Sequence, residues 1–379
     1  MTLAARVTPI LQRGRAVALV PSLSIALALV IGAVIMILSS PLVSGEFNPT
    51  LPVTAYQAML SGAFGSFDGV VRTLVNATPL VLAGLAVGIG FKAGLFNIGA
   101  QGQFVLGALA AAATGLALND MSPLIAIPLA LLAGMLGGLL WGFIPGALRA
   151  YTGAHEVVTT IMLNYVALAV LSWAISGPLK GHNVTFSRTD DIVAASLPII
   201  LGRDGHLGLL AAAVSVPIAT WLLYRSTIGF EIRTTGANPD AARYAGMHPR
   251  HLIVFTMALC GLFAGLAGAS VVLGEVGYMT ASSPGSVGFD AIAVALLGRA
   301  HPVGILFGAL LFGAMQAGSG NMQILAGLPV QMIGVLQAII LLFLTAEVIV
   351  RRLFRVQAAG GGLAELATVS RAYGGKGTG

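Results

Sequence analysis

The sequence predicts an all-α polytopic membrane protein with about ten transmembrane segments, eight at the least, one of them short or broken. Three observations carry this. Hydrophobic residues make up 57% of the 379-residue chain and charged residues only 8%, where soluble domains carry about 25% charged residues. Uncharged apolar runs recur at lengths that, as helices rising ~1.5 Å per residue, cross the ~30 Å of a bilayer core. The Lys and Arg residues sit at the ends of those runs and form no continuous face. The net charge of +6 therefore reads as membrane topology and not as a nucleic-acid surface.

The apolar runs and their breakers give the segments in order: Val17–Leu38, Thr73–Gly90, Leu95–Leu118, Pro123–Leu148, Val157–Ile175, Leu207–Tyr224, Leu252–Leu273, Val287–Gly298, Val303–Gly318 and Leu328–Val350. The first follows Arg6, Arg13 and Arg15, as a signal peptide would, but its apolar stretch is too long for one. The eighth is too short to span alone and is expected to be a half-length helix. Residues 1–16 are expected to form a cytoplasmic N-terminal tail, 17–350 the transmembrane domain with an inner loop over 225–251, and 351–379 a basic and then flexible cytoplasmic tail. Ser39–Arg72 is expected as an outer loop whose Tyr56–Phe67 part lies at the interface, and Gly177–His206 as a second, polar outer loop.

Placing the N-terminus in the cytoplasm and alternating puts fifteen basic residues inside: Arg6, Arg13, Arg15, Lys92, Arg149, Arg225, Arg233, Arg243, Arg250, Arg299, Arg351, Arg352, Arg355, Arg371 and Lys376. Four fall outside: Arg72, Lys180, Arg188 and Arg203. That asymmetry obeys the positive-inside rule, and both termini are expected in the cytoplasm.

Several chemical motifs fail on inspection. Gly88–Gly94 (GIGFKAG) has its third glycine one residue late for a dinucleotide loop and lacks the strand that loop needs. His155-Glu156-Val157-Val158-Thr159 has threonine where a zinc pair needs the second histidine. Gly374–Thr378 lacks the first glycine and the strand of a phosphate loop. The lone Cys260 lies in an apolar run and gives no disulfide framework. No cofactor, metal or catalytic set is expected, and any ATP hydrolysis falls to another chain.

The inner loop carries the strongest local signal. Asn238 suits a helix cap, Pro239 its first position and Asp240 its positive end, and Gly246 suits its termination. A short exposed helix over Asn238, Pro239, Asp240, Ala241, Ala242, Arg243, Tyr244, Ala245 and Gly246 is expected, presenting Arg243 and Tyr244 to a cytoplasmic partner. This loop resembles the coupling helix of ABC importer permeases. The following run, with Gly261, Gly265 and Gly268 at small-residue spacing, fits the same pattern. GLFNIGAQGQF (Gly94–Phe104), HEVVTTIMLNY (His155–Tyr165) and GFDAIAVALLGRAHPVG (Gly288–Gly304) are similar to the permeases of nucleoside-type and simple-sugar ABC importers, a family that groups loosely with ribose and branched-chain amino-acid permeases. The likeness covers about Gly94 to Gly304 and does not fix a substrate.

The resemblance implies a permease subunit that is not an enzyme. Its partners would be a second permease subunit, identical or homologous, an ATP-binding ABC subunit and an extracytoplasmic solute-binding protein. Asn97 and Gln101, four residues apart, are expected on one helix face, and Glu156, Thr160 and Asn164 on another. Asn97, Gln101, Asn164 and Asp290 are candidates for the solute pathway, against a packing role for the amides and a helix-start role for Asp290. Glu156 reads as a first-turn carboxylate and Arg299 as a topological anchor. A branched-chain amino-acid permease stays open as an alternative. So does an ion-coupled secondary transporter, against which stand the scarcity of membrane carboxylates and the lack of a visible repeat. Reporter fusions check the topology: within Leu118–Met121 and Lys180–Arg188 they are expected to score outside, and at Asn238 inside. An inside score for Lys180–Arg188 breaks the assignment.

Overall fold

The runs of apolar sequence become helices almost one for one. The computed structural model describes residues 3–182, 186–283 and 285–346, and for 3–20 and 42–44 the backbone alone. The helices are α1 (Leu3–Ser44), α2 (Leu51–Phe64), α3 (Phe67–Lys92), α4 (Ala100–Ala117), α5 (Pro123–Ala147), α6 (Glu156–Ser176), α7 (Gly208–Arg225), α8 (Thr227–Ala237), α9 (Pro239–Tyr244), α10 (Pro249–Val271), α11 (Val287–Leu297), α12 (Pro302–Ala326) and α13 (Gln331–Thr345). Eight stretches among the described residues are long and apolar enough to cross a bilayer, and α11 and α13 are shorter apolar helices. The half-length eighth segment is α11, with 11 residues. The expected N-terminal tail is helical from Leu3 as part of α1. The C-terminal tail 351–379, with its five basic residues and the Gly374–Thr378 stretch, lies outside the described residues.

The chain divides into two compact units, one of residues 1–69 and 315–379, the other of Val70–Ala314. In the first, α1 packs on α13, where the Ser24 hydroxyl donates to the Phe343 carbonyl at 3.3 Å. The expected interfacial stretch is α2: it buries Ala55, Ala58 and Met59, and Tyr56 donates to the Leu29 carbonyl of α1 at 2.6 Å.

The second unit is built on α4, α5 and α10, the most extensively packed helices. Small residues set how close they come. A Cβ on Gly138 of α5 would collide with the Gly261 carbonyl and lie 2.6 Å from the Gly265 Cα, both on α10. Gly107 of α4 meets Gly265 equally closely. Between helices in lipid, where apolar side chains gain little from leaving the solvent, backbone proximity of this kind supplies the attraction through dispersion.

The expected polar loop Gly177–His206 is instead folded onto this unit. Ile192, Ala194, Ala195 and Leu197 are buried. The Ile192 amide donates to the Gly277 carbonyl at 2.7 Å, and the Leu197 amide to the Leu273 carbonyl at 2.8 Å. Asn119 holds it from the α4–α5 turn, donating to the Asp191 carbonyl and accepting from the Val193 amide, each at 2.9 Å. A two-stranded ribbon, β1 (Ile199–Leu201) with β2 (Gly205–His206), closes it. An exposed ion pair joins Asp204 to Arg72 at 3.0 Å. Residues assigned outside by charge thus meet one another, at the end of the unit away from Lys92 and the inner loop.

Adding one methyl at the backbone contact distinguishes packing from propensity. Gly138→Ala is expected to lower the melting temperature of the detergent-solubilised protein, since overpacking costs about 1–3 kcal/mol. Gly334→Ala in α13, where a new Cβ meets nothing within 4 Å, is expected to leave it unchanged. Thermal melts of the two variants read the difference.

Candidate functional site

The chain breaks between α3 and α4, and the break creates a problem of unpaired backbone groups. Helix α3 ends in a Schellman turn: Gly94 sits at φ +71°, its amide donates to the Phe91 carbonyl at 3.1 Å, and the Leu95 amide donates to the Gly90 carbonyl at 2.9 Å. Residues 95–99 then run without helix into α4. Asn97 therefore lies in this connection, and the expected helix face shared with Gln101 does not exist. The sequence placed the helix start at Leu95. The structure starts it at Ala100, because Gly99 takes the cap position and the Asn97 side chain accepts from the Gly99 amide at 3.1 Å.

Three further amide side chains complete the clamp. Asn97 Nδ2 donates to Gln103 Oε1 at 2.9 Å. Gln101 Nε2 donates to the Gly285 carbonyl at 2.9 Å, and its Oε1 accepts from the Gly288 amide at 2.7 Å. Asn164 on α6 accepts from the Gly102 amide at 2.8 Å and donates to the Ile98 carbonyl at 3.0 Å. All four are buried. Each engages both its oxygen and its nitrogen, so the amides pin the α3–α4 break, the first turn of α11 and α6 to one another. Gln103, which the sequence did not single out, is as much a part of this as Asn97.

The face of α6 is as expected. Glu156, Thr160 and Asn164 are buried, continuing through Ala167, Leu171 and Ala174. Glu156 occupies the first turn, but it also meets Arg149 at 3.3 Å, both side chains largely buried. Arg149 entered the sequence reading only as one of the basic residues placed inside. It lies in a π-helical turn, Leu148–Thr152, that follows α5.

Asp290 lies in the first turn of α11, accepting from the Ser286 hydroxyl at 3.0 Å. Phe289 beside it is 47% exposed, unlike the sealed amides. The structure thus joins Asn97, Gln101 and Asn164 in one cluster. It reaches the Asp290 turn only through the backbone contacts of Gln101.

In the inner loop, Asn238 caps α9: its Oδ1 accepts from the Asp240 and Ala241 amides at 3.0 and 3.1 Å. Pro239 is the first residue and Asp240 lies in the first turn. A second Schellman turn ends it, with Gly246 at φ +83° and the Met247 amide donating to the Ala242 carbonyl at 3.0 Å. Ala242 is fully buried. Ala241, Arg243, Tyr244 and Ala245 are exposed, Tyr244 to 94%. The loop holds a second helix, α8, absent from the sequence reading because Thr227–Ala237 carries no long apolar run. Its start signal was present: the Ser226 hydroxyl accepts from the Gly229 amide at 2.9 Å.

Comparison with known proteins places these features in a family. A family model described as the permease component of branched-chain amino acid transport systems matches residues 69–345. The guanosine ABC transporter permease NupP of Bacillus subtilis is 39% identical over 338 residues, covering 88% of this chain and 94% of its own. A glucose ABC transporter permease of Haloferax volcanii is 38% identical, covering 79% and 82%. The nucleoside ABC transporter permease NupB of Lactococcus lactis is 33% identical, covering 88% and 92%. No solved structure matches the chain. The chain belongs to this family of transport-system permeases.

The amide clamp has a stability signature. Gln101→Leu keeps the volume but strands the Gly285 carbonyl and the Gly288 amide. Each buried unpaired group costs about 1–3 kcal/mol, so a clear loss of melting temperature is expected. Gln101→Glu keeps the acceptor for Gly288, loses the donor to Gly285 and buries an ionisable group, so it is expected to be no better tolerated. Thermal melts of both variants check this.

Proposed function

We propose that this permease subunit forms the translocation path of an ABC importer for nucleosides or simple sugars. A second permease subunit completes the pore, a separate ATPase docks on α9, and an extracytoplasmic binding protein delivers the solute. The observation that carries the reading is likeness along nearly the full length to permeases named for guanosine, glucose and nucleosides. Related chains of the same systems, such as the guanosine permease NupQ of Bacillus subtilis at 28% identity, favour a paralogous second subunit.

The geometry of α9 supports the docking role. A six-residue helix capped at both ends is rigid, and its exposed side chains, Arg243 and Tyr244, are suited to a protein partner: Arg and Tyr are the residues that dominate binding energy at such contacts. The excess of Lys and Arg in the inner loops supports a cytoplasmic position for this face and for both termini.

The amides enter this reading as the frame of the path. Asn97, Gln101 and Asn164 fix the backbone beside α11, whose Asp290 and half-exposed Phe289 are the candidates to meet a solute. Asn164→Leu is expected to lower transport while leaving association with the ATPase intact.

Two measurements test the reading. Calorimetric titration of the partner binding protein with guanosine, glucose and leucine is expected to give binding for a nucleoside or the sugar. Binding of leucine alone overturns the substrate class. For the docking role, Arg243→Glu reverses a surface charge, and Gly246→Val forces a β-branched side chain into a left-handed position at about 1–2 kcal/mol. Both are expected to lower solute-stimulated ATP hydrolysis together with transport. Wild-type values in both variants sink the assignment of α9.

A further inference from the structure

A docked ATPase touches α9, yet α9 is six residues long and makes few contacts with the membrane helices. Its neighbour α8 is the element that reaches them. At its start, α8 lies on the end of α7: a Cβ on Gly229 would collide with the Leu222 carbonyl, and the Ser226 hydroxyl that caps α8 donates to that same carbonyl at 2.6 Å. At its end, Gly236 lies against the Schellman turn of α3. A Cβ there would collide with the Lys92 carbonyl and lie 2.7 Å from the Ala93 carbonyl carbon and 2.8 Å from the Gly94 nitrogen. The contact is reciprocal, since a Cβ on Gly94 would lie 3.1 Å from the Gly236 carbonyl oxygen. Two backbones touch with no side chain between them.

A second contact runs from the same helix to the α11–α12 turn. The Arg233 guanidinium of α8 stands 5.1 Å from the centroid of the Tyr224 ring, and His301 stacks on the same ring at 5.2 Å and 28°. Burial and the nearby Lys92 ammonium hold His301 below its ordinary pKa, which favours the uncharged ring that stacks. The turn bearing His301 is strained. Arg299 and Ala300 sit at φ +51° and +52°, a region where a side chain costs roughly 1–2 kcal/mol. The turn is held by the Arg299 amide on the Leu296 carbonyl and the Ala300 amide on the Ala295 carbonyl, at 2.9 and 2.8 Å. Such strain persists where surrounding contacts over-determine the conformation, and it makes a turn ready to rearrange when they shift.

We propose that α8 is the transmission element of this permease, carrying movement of the docked α9 into the membrane unit through Gly236 on the Lys92–Gly94 turn and through Arg233–Tyr224–His301 on the α11–α12 turn. Both receiving turns adjoin the ends of segments that the amides bind together, α3 leading into the Asn97 connection and α11 beginning at the Gln101 contacts. Gly236, Arg233, Tyr224 and His301 are positioning residues for transport, and none of them is part of the face that meets the ATPase. The inference rests on the docking role of α9.

The test uses the assembled complex of permeases, ATPase and binding protein in proteoliposomes, with labelled guanosine and glucose as probes. Three quantities are read: ATPase retained on purification, ATP hydrolysed, and solute carried per ATP. Gly236→Ala and Tyr224→Ala are expected to retain the ATPase and to lower solute carried per ATP by about tenfold, an ordinary coupling factor. Tyr224→Phe, which keeps the ring, is expected to restore most of the solute carried per ATP that Tyr224→Ala loses. A role in stability alone would lower the yield of complex and leave the ratio unchanged. Wild-type solute per ATP in Tyr224→Ala overturns the proposal even where Gly236→Ala fails to assemble. Arg243→Glu and Gly246→Val separate the two readings: full ATPase retention with wild-type ATP hydrolysis and transport in both removes the docking role of α9, whatever the Gly236 and Tyr224 variants do.

Discussion

Every polar backbone group in the bilayer core needs a partner inside the protein, and this fold turns on meeting that requirement where a helix is broken. Between Lys92 and Ala100 the chain leaves helical geometry, and near Val287 it re-enters it. Those two places are satisfied by the same small set of neutral amides. Gln101 binds the Gly285 carbonyl and the Gly288 amide, Asn164 binds the Ile98 carbonyl and the Gly102 amide, and Asn97 binds Gln103 and the Gly99 amide. An amide suits this work because it offers a donor and an acceptor together without a charge to desolvate. The greasy surroundings explain why the glycines accompany them: Gly99 lets Thr160 of α6 pack against the connection, and Gly102 lets Asn164 of α6 reach the backbone it serves.

The glycine contacts of α4, α5 and α10 have a mechanical consequence. Gly107, Gly138, Gly261 and Gly265 bring backbones together with no side chain between them to change rotamer. An interlocked contact of that kind does not deform gradually, and close-packed interiors transmit displacement. The three helices are therefore suited to moving as a block. Change of shape is left to the connections, which is where the left-handed turns at Gly94, Gly246 and Arg299–Ala300 are found. Pairs of helices that touch through glycine and connections that turn through left-handed residues are two sides of one design.

Much of this was legible in the sequence, and the limit was sequence separation. Whatever depends on neighbours within a few residues could be read directly. The segment boundaries fell mostly within a few residues, the half-length α11 was foreseen, and α9 was foreseen with its cap, its proline and its terminating glycine. The Glu156–Asn164 face followed from helical spacing alone. What depends on distant partners could not be read. The acceptors and donors of Gln101 lie 184 and 187 residues away, and those of Asn164 lie 62 and 66 away. Asn97 was placed on a helix because nothing local said that Gly99 would cap it. The segment Gly177–His206 looked like a polar loop because its apolar stretch, Ile192–Leu201, is too short to cross a bilayer and its partners at Asn119, Leu273 and Gly277 are distant in sequence. Helix α8 was missed because Thr227–Ala237 carries no long apolar run, Ile232 being its one large buried side chain.

The saturation of the amides also constrains selectivity. A group whose oxygen and nitrogen are both bonded within the protein has little left to offer a passing molecule, and exchanging those bonds for bonds to solute would release the α3–α4 break. Under the proposed reading, recognition of a neutral, many-hydroxylated solute therefore falls to groups that remain accessible. Around α11 these are of the right kind: Ser282 and Ser286 are exposed hydroxyls, Asp290 offers a carboxylate that accepts from hydroxyl donors, and Phe289 presents half of an aromatic side chain to stack on a flat ring. Phe289 and Asp290 stand on the short helix whose start Gln101 holds and whose end meets the turn against Tyr224, with Ser282 and Ser286 just before it. A solute seated there would sense a movement at either end of α11, which gives a physical reason for the shortness of that helix. A full-length span would be anchored by lipid on both sides, whereas eleven residues between two protein-held turns move with the turns.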